Sequence, residues 1–340
     1  LSKRVDILNI GLILISFLLA YWLPVRLFLF SYAILGPLHY LTEIGWLDKR
    51  GYFSKRKKDV WILAALCGLL TLGFFLSQID FIDPGGTLST YPFIQSLISI
   101  NEYAGAGIVF FAFCTAMVLV FVSRKMIKYG IIIVAAIIAC FIHHIPSALL
   151  IFGVFIPTII HVSIFTGIFM LYGALKSKST WGYISVLLFF FGCISIFWID
   201  MSADHITSTQ SDFQMLLDST FVHIGSHLSS FLGLKSPGED YLLLSSLGLQ
   251  IQMLFAFCYT YHYLNWFSKT KIINWHEVSR SYLIFTGVIW ILSIFLYTIN
   301  YKLGFLALFF LSMLHVFFEF PLNGVSFVGV IQEVNARIRK

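Results

Sequence analysis

Along the chain, apolar stretches of about 20 residues alternate with short polar clusters. That spacing predicts helices that cross a bilayer, not the roughly 10-residue alternation of membrane barrels. Ten spans are predicted, at residues 6–23, 26–46, 60–79, 102–123, 130–152, 154–175, 181–200, 241–267, 282–300 and 304–322, with a turn near Gly153 between the fifth and sixth. The first stretch has no small-residue cleavage site after it and reads as a membrane helix, not a signal peptide. Two longer connections break the rhythm. Residues 80–101 carry the turn signal Asp83-Pro84-Gly85-Gly86. Residues 201–240 start polar, then place apolar residues at helical spacing from Phe213 to Leu232, ending at Lys235-Ser236-Pro237-Gly238. This predicts an amphipathic helix on the outer surface. The expected fold is all-α: a polytopic integral membrane helical bundle of about ten transmembrane helices. Residues 1–340 would form one transmembrane domain with an outer amphipathic connection.

Charge placement sets the orientation. Nineteen of the 22 basic residues follow or precede spans on one side, leaving only Arg26, Lys235 and Lys302 for the other. By the excess of Lys and Arg on the cytoplasmic side, both termini are cytoplasmic, in a membrane of the bacterial inner-membrane kind. Composition agrees: 59% of residues are hydrophobic and 11% charged, with 36 Phe, 16 Tyr and 8 Trp. The net charge of +6 comes from residues flanking spans, so it calls for membrane lipids and not for nucleic acid. Cys67, Cys114, Cys140, Cys193 and Cys258 all fall in apolar runs without CxxC pairing and read as packing residues.

Against this apolar background, two segments stand out. His39 with Glu43, and His315 with Glu319, each place a carboxylate four residues after a histidine, on one helix face inside a span. Ionisable groups at that depth are costly and normally face a protein interior or a wet cavity, where they do chemistry or conduct ions. Four more histidines, His143, His144, His161 and His262, lie within predicted spans, and all six fall within about 15 Å in depth. Pro146 and Pro157 are placed to bend the fifth and sixth spans inward. Imidazoles with one or two carboxylates suit iron(II), zinc or manganese. Glu43 and Glu319 read either as ligands or as partners that orient a histidine through its other nitrogen. A polar staple between helices and a proton or ion path remain open beside the metal site. On the outer side, His223 and His227 are four apart on a segment read as a solvated helix face. The histidine boxes of membrane desaturases, HExxH, a late-span lysine for retinal, a glycine-rich phosphate loop and CxxCH are all absent.

Pro37-Leu38-His39 with Glu43, Ile159-Ile160-His161, Phe257-Cys258-Tyr259-Thr260-Tyr261-His262, and Leu314-His315 with Glu319 together resemble the histidine segments of the Brp/Blh family. That family comprises the membrane β-carotene 15,15′-dioxygenases. Glu stands where the family has Asp, and its His-rich helix end is reduced here to one histidine. The resemblance implies an iron-dependent, O2-using enzyme acting on an apolar, lipid-like substrate, with carotenoid cleavage as the candidate reaction. One or two Fe(II) ions would be held by His39, His161, His262 and His315, with His143 or His144 the next candidate. Glu43 and Glu319 would act beside the metal, and Tyr40, Tyr259, Tyr261 and Asn265 would form outer hydrogen bonds. The contrasting expectation is a proton- or metal-ion-coupled transporter using the same His/Glu cluster.

Overall fold

The computed structural model describes residues 2–235 and 240–339. Among them the chain is helical, with no strand. The principal helices are α1 (Ser2–Trp22), α2 (Pro24–Lys49), α3 (Trp61–Ser77), α4 (Pro92–Phe121), α5 (Lys125–Phe141) and α6 (Pro146–Ser177). They continue with α7 (Thr180–Ser195), α8 (Gln210–Asp218), α9 (Phe221–Phe231), α10 (Ser246–Ser268), α11 (Arg280–Ile299) and α12 (Tyr301–Ile338). Nine helices among the described residues are long and apolar enough to cross a membrane, as in an integral membrane protein.

α10 matches the remaining expected stretch but is not one of the nine. It carries Gln250, Gln252, Tyr259, Tyr261, His262 and Asn265, and residues 251–263 are all buried. A helix that faces protein on every side has no need of an apolar surface, so polar side chains are tolerated where they find partners.

The turn between the fifth and sixth stretches is not at Gly153. It falls at Ile142–His144, a short 3₁₀ turn followed by Pro146 at the first position of α6. Proline suits that position because the first helical N–H needs no partner. Gly153 instead lies inside a π-helical stretch, Ile151–Phe165, that also contains Pro157. A second π-turn, Ser31–Leu35, precedes Pro37, and there the Gly36 amide reaches back five residues to the Ser31 carbonyl. Proline cannot donate and its ring crowds the preceding turn, so a widened turn relieves both problems.

The predicted outer helix is two helices, α8 and α9, separated at Ser219 and Thr220. Thr209 and Asp212 form a reciprocal capping box at the start of α8. Of the expected terminating turn, Ser236, Pro237 and Gly238 lie outside the described residues. The turn at Asp83 is present, with the Gly86 amide bonded to the Asp83 carbonyl at 2.9 Å.

The chain divides into two compact units. The first comprises residues 1–46, 159–305 and 326–340. Within it, α10 packs against α1 and α2, and α7 packs against α1 and the end of α6. α9 is anchored in this unit by Phe221, whose ring meets Phe28 at 4.6 Å and Tyr259 at 5.5 Å. Arg26 pairs with Asp212 at 2.8 Å. The second unit comprises residues 47–158 and 306–325. There α4 packs on α3 and α5, closely enough at Gly107 that a Cβ would press on the Ala139 carbonyl. At its charged end, Asp59 is paired with both Lys128 and Arg56.

Candidate metal centre

Three buried histidines of the first unit converge. His39 comes from α2, His161 from α6 and His262 from α10. The Nε2 atoms of His39 and His262 are 3.0 Å apart. The His161 and His262 ring centroids are 4.8 Å apart. None of the three is more than 7% exposed.

Each ring is aimed by its own support. His39 follows the π-turn of α2, and that segment is fixed on α10 by several contacts. Ser31 and Thr260 hydroxyls bond at 2.7 Å, and Gly36 lies so close to the Tyr263 hydroxyl that a Cβ would come within 3.1 Å of it. One turn on, Trp266 donates its indole N–H to the Thr42 hydroxyl at 3.0 Å. Thr42 in turn donates to the Leu38 and His39 carbonyls. The rings of Trp266 and Tyr263 stand 5.5 and 5.2 Å from the His39 ring, giving it aromatic walls.

His262 is held by Thr166, whose hydroxyl lies 2.7 Å from Nδ1 and 3.4 Å from the His161 carbonyl. With the Thr166 hydroxyl donating to that carbonyl, it accepts from His262 Nδ1–H. The lone pair of His262 then sits on Nε2, the nitrogen that faces His39. This is the second-partner arrangement by which metal-bound histidines are oriented. Thr166 was not distinguishable in the sequence, where it is one hydroxyl among several in an apolar run.

Glu43, 2% exposed, approaches His39 with Oε2 3.1 Å from Nε2. The carboxylate therefore meets the same nitrogen that faces His262, and in that position it is a candidate donor to a shared cation.

The donor set fits a metal ion. Two ligands at right angles on a metal about 2.1 Å away are about 3.0 Å apart, the separation of the two Nε2 atoms. The walls are apolar or aromatic, and imidazole with carboxylate is a donor chemistry that zinc, iron and manganese accept. Buried histidines of this chain are thus able to hold a metal ion.

The other sequence candidates fall in different surroundings. His315 and Glu319 are buried on α12 in the second unit, at 5% and 8% exposure. His143 is half-buried and His144 exposed, on the turn after α5, with their rings 3.9 Å apart. The bend expected to carry them inward lies at their own position, so they end a helix instead of projecting from its middle. Tyr261 is fully buried, but its hydroxyl donates to Asn9 Oδ1 at 3.1 Å and contacts Met170 sulfur at 3.4 Å, tying α10 to α1 and α6. Tyr259 belongs to the aromatic group around Phe221. His223 and His227 are exposed on α9, as a solvated face requires. No protein-family profile, curated protein or solved structure matches this chain.

Proposed function

We propose that the chain is a membrane-embedded, O2-dependent oxygenase that uses non-haem iron(II) to oxidise a lipid-like apolar substrate, with carotenoid cleavage as the candidate reaction. Its ten spans would leave both termini in the cytoplasm. The observation that carries this reading is the nitrogen-to-nitrogen approach of His39 and His262 inside an apolar interior. Three buried histidines of the first unit, His39, His161 and His262, each offer one ring nitrogen, and these atoms lie within 4.8 Å of one another. These three imidazoles would hold the metal, with Glu43 as the adjacent carboxylate.

Bound iron(II) would supply the means to bind and activate O2. The remaining work belongs to the chain. Thr166 fixes the tautomer of His262, and Trp266 and Tyr263 hold the His39 ring in place. The apolar helices admit a hydrophobic substrate and keep water from reactive oxygen species.

Metal content, measured by mass spectrometry on protein purified without chelator, tests the reading. About one or two irons per chain are expected, lost in His39→Ala and His262→Ala while the protein stays folded. O2 uptake with carotenoid and with lipid then separates the candidate substrates. Absence of bound metal after anaerobic iron reconstitution would overturn the oxygenase and leave the proton- or ion-coupled path.

A further inference from the structure

A cavity of about 590 Å³ opens in the first unit where α1 begins and α6 and α10 end. Small-molecule sites commonly fall between about 300 and 1,000 Å³. Its charged lining is Lys176, Lys269 and Lys271 against the single carboxylate of Asp6. Asp6 already accepts a hydrogen bond from the Ser179 hydroxyl. None of the three lysines is in an ion pair among the described residues. Instead, the Lys269 ammonium lies 4.7 Å from the centre of the Phe169 ring and that of Lys176 lies 5.7 Å from Tyr172. Such contacts stabilise a cation while leaving its outward N–H groups directed to the cavity.

A second, independent feature points to a ligand. Asn265 lines the same cavity, is only 5% exposed, and its Oδ1 has no hydrogen-bond partner. Buried carboxamides are almost always satisfied, so an unmatched one at a cavity wall marks a place for a polar group. Its neighbour Asn9 is fully engaged, with Nδ2 donating to the Val5 carbonyl and the Ser268 hydroxyl. A carboxamide can present its NH2 to an anion by turning about its last bond. Much of the remaining wall, including Met170, Ala174, Ile272 and Ile273, is apolar, with Ser177 and Ser185 as further polar residues.

We infer that this cavity binds the anionic head, a phosphate or a carboxylate, of an amphiphile whose tail lies along the apolar wall. Lys176 and Lys269 would neutralise the head and Asn265 would hydrogen-bond to it. The inference does not depend on the metal centre. Charge-assisted hydrogen bonds to phosphate oxygens are the strong kind, and burial beside aromatic rings strengthens them further.

The test uses the full chain in detergent micelles, examined by native mass spectrometry with phosphatidylglycerol or phosphatidylcholine added, and by thermal shift with inorganic phosphate alone. Wild type is expected to retain the anionic lipid about tenfold better than the zwitterionic one. Lys176→Gln with Lys269→Gln abolishes that preference, and Lys58→Gln, in the other unit, preserves it. Stabilisation by phosphate alone, lost in the same double variant, would assign the site to a free anion; its absence would assign it to a lipid-borne head. Lys269→Gln alone, which keeps the stem over Phe169, is measured beside the double variant in case the latter does not fold. Undiminished preference for the anionic lipid in both variants, or no preference in wild type, would overturn the inference.

Discussion

Thr166 and His262 are joined by a 2.7 Å contact between a hydroxyl and Nδ1, ninety-six residues apart in the chain. With the Thr166 hydroxyl accepting, Nδ1 of His262 carries the proton and Nε2, the nitrogen that faces His39, keeps its lone pair. If the centre binds metal, Thr166→Val should lower metal affinity about 10- to 100-fold, the usual cost of losing an orienting partner. Thr166→Ser should restore it. Competition titration with a chelator measures both, and equal affinity in wild type and Thr166→Val would deny Thr166 any orienting role.

Gly45 and Tyr282 are in direct contact. A Cβ on residue 45 would overlap the Tyr282 ring, whose hydroxyl donates to the Leu41 carbonyl at 2.6 Å. Gly45→Ala is expected to destabilise the protein by about 1–3 kcal/mol, the range for overpacking a tight contact. Adding Tyr282→Leu should recover part of that loss. Thermal unfolding in detergent measures the pair; Gly45→Ala without effect would mean α11 is free to shift away from α2.

Near the start of α8, Asp212 is held by its surroundings. Burial alone would raise its pKa, but hydrogen bonds from the Thr209 amide and hydroxyl and from Arg26 outweigh burial and hold it below the ordinary carboxylate range. A depressed carboxylate stabilises the fold above its unfolded pKa of about 3.9 and loses that contribution as pH falls through the lower, folded value. Relative to the intrinsic amide rate, hydrogen exchange in α8 should therefore be constant down to about pH 4 and rise below it. In Arg26→Met the folded value moves back towards the unfolded one, so the rise in acid should be smaller. Exchange that is flat into strong acid would show that the pair does not hold α8.

Lys269 moves in the opposite sense. Burial pushes its ammonium down to about 8, while Asp6 on α1 pulls it up. Lys176 on α6 and Lys271 beyond α10 are the other charges around the cavity. Because the folded value lies below the unfolded one of about 10.4, the empty protein gains stability as pH rises between the two. Anion retention should do the reverse, falling as pH passes about 8. Lys269→Arg, whose guanidinium stays charged, should flatten that profile. Native mass spectrometry across pH 6.5 to 9.5, a window of about three units centred on 8, follows retention, and thermal unfolding of the lipid-free protein between about pH 8 and 10.4 follows stability.

Much of the helix plan was legible because apolar stretches of bilayer length leave little else for the chain to form. His39 and Glu43 were legible too, since a carboxylate within an apolar run needs a partner nearby. Other features depended on information that periodicity does not carry. Gly153 looked like a turn, yet a glycine with a nearby proline can equally be absorbed in a widened helix, while Pro146 began a new helix just after the histidine pair. α10 differs from its neighbours in being surrounded by protein, which shows in the sequence only as extra polar residues. Thr166 and Asn265 acquire meaning only through what folds against them. Cavities are assembled from chain ends that are far apart in sequence, as Asn9 and Asn265 are.

The π-turn at Ser31–Leu35 sets the phase of everything after it on α2. A widened turn is equivalent to one extra residue spliced into an α-helix. Regularising the turn at full length would rotate His39 by about 100° relative to Pro24, whereas deleting a single residue there would let the helix regularise with His39 facing as it does now. The aim of His39 is therefore carried by the widened turn itself: a one-residue gap between 31 and 35 preserves it, and a change that straightened the turn at full length would not.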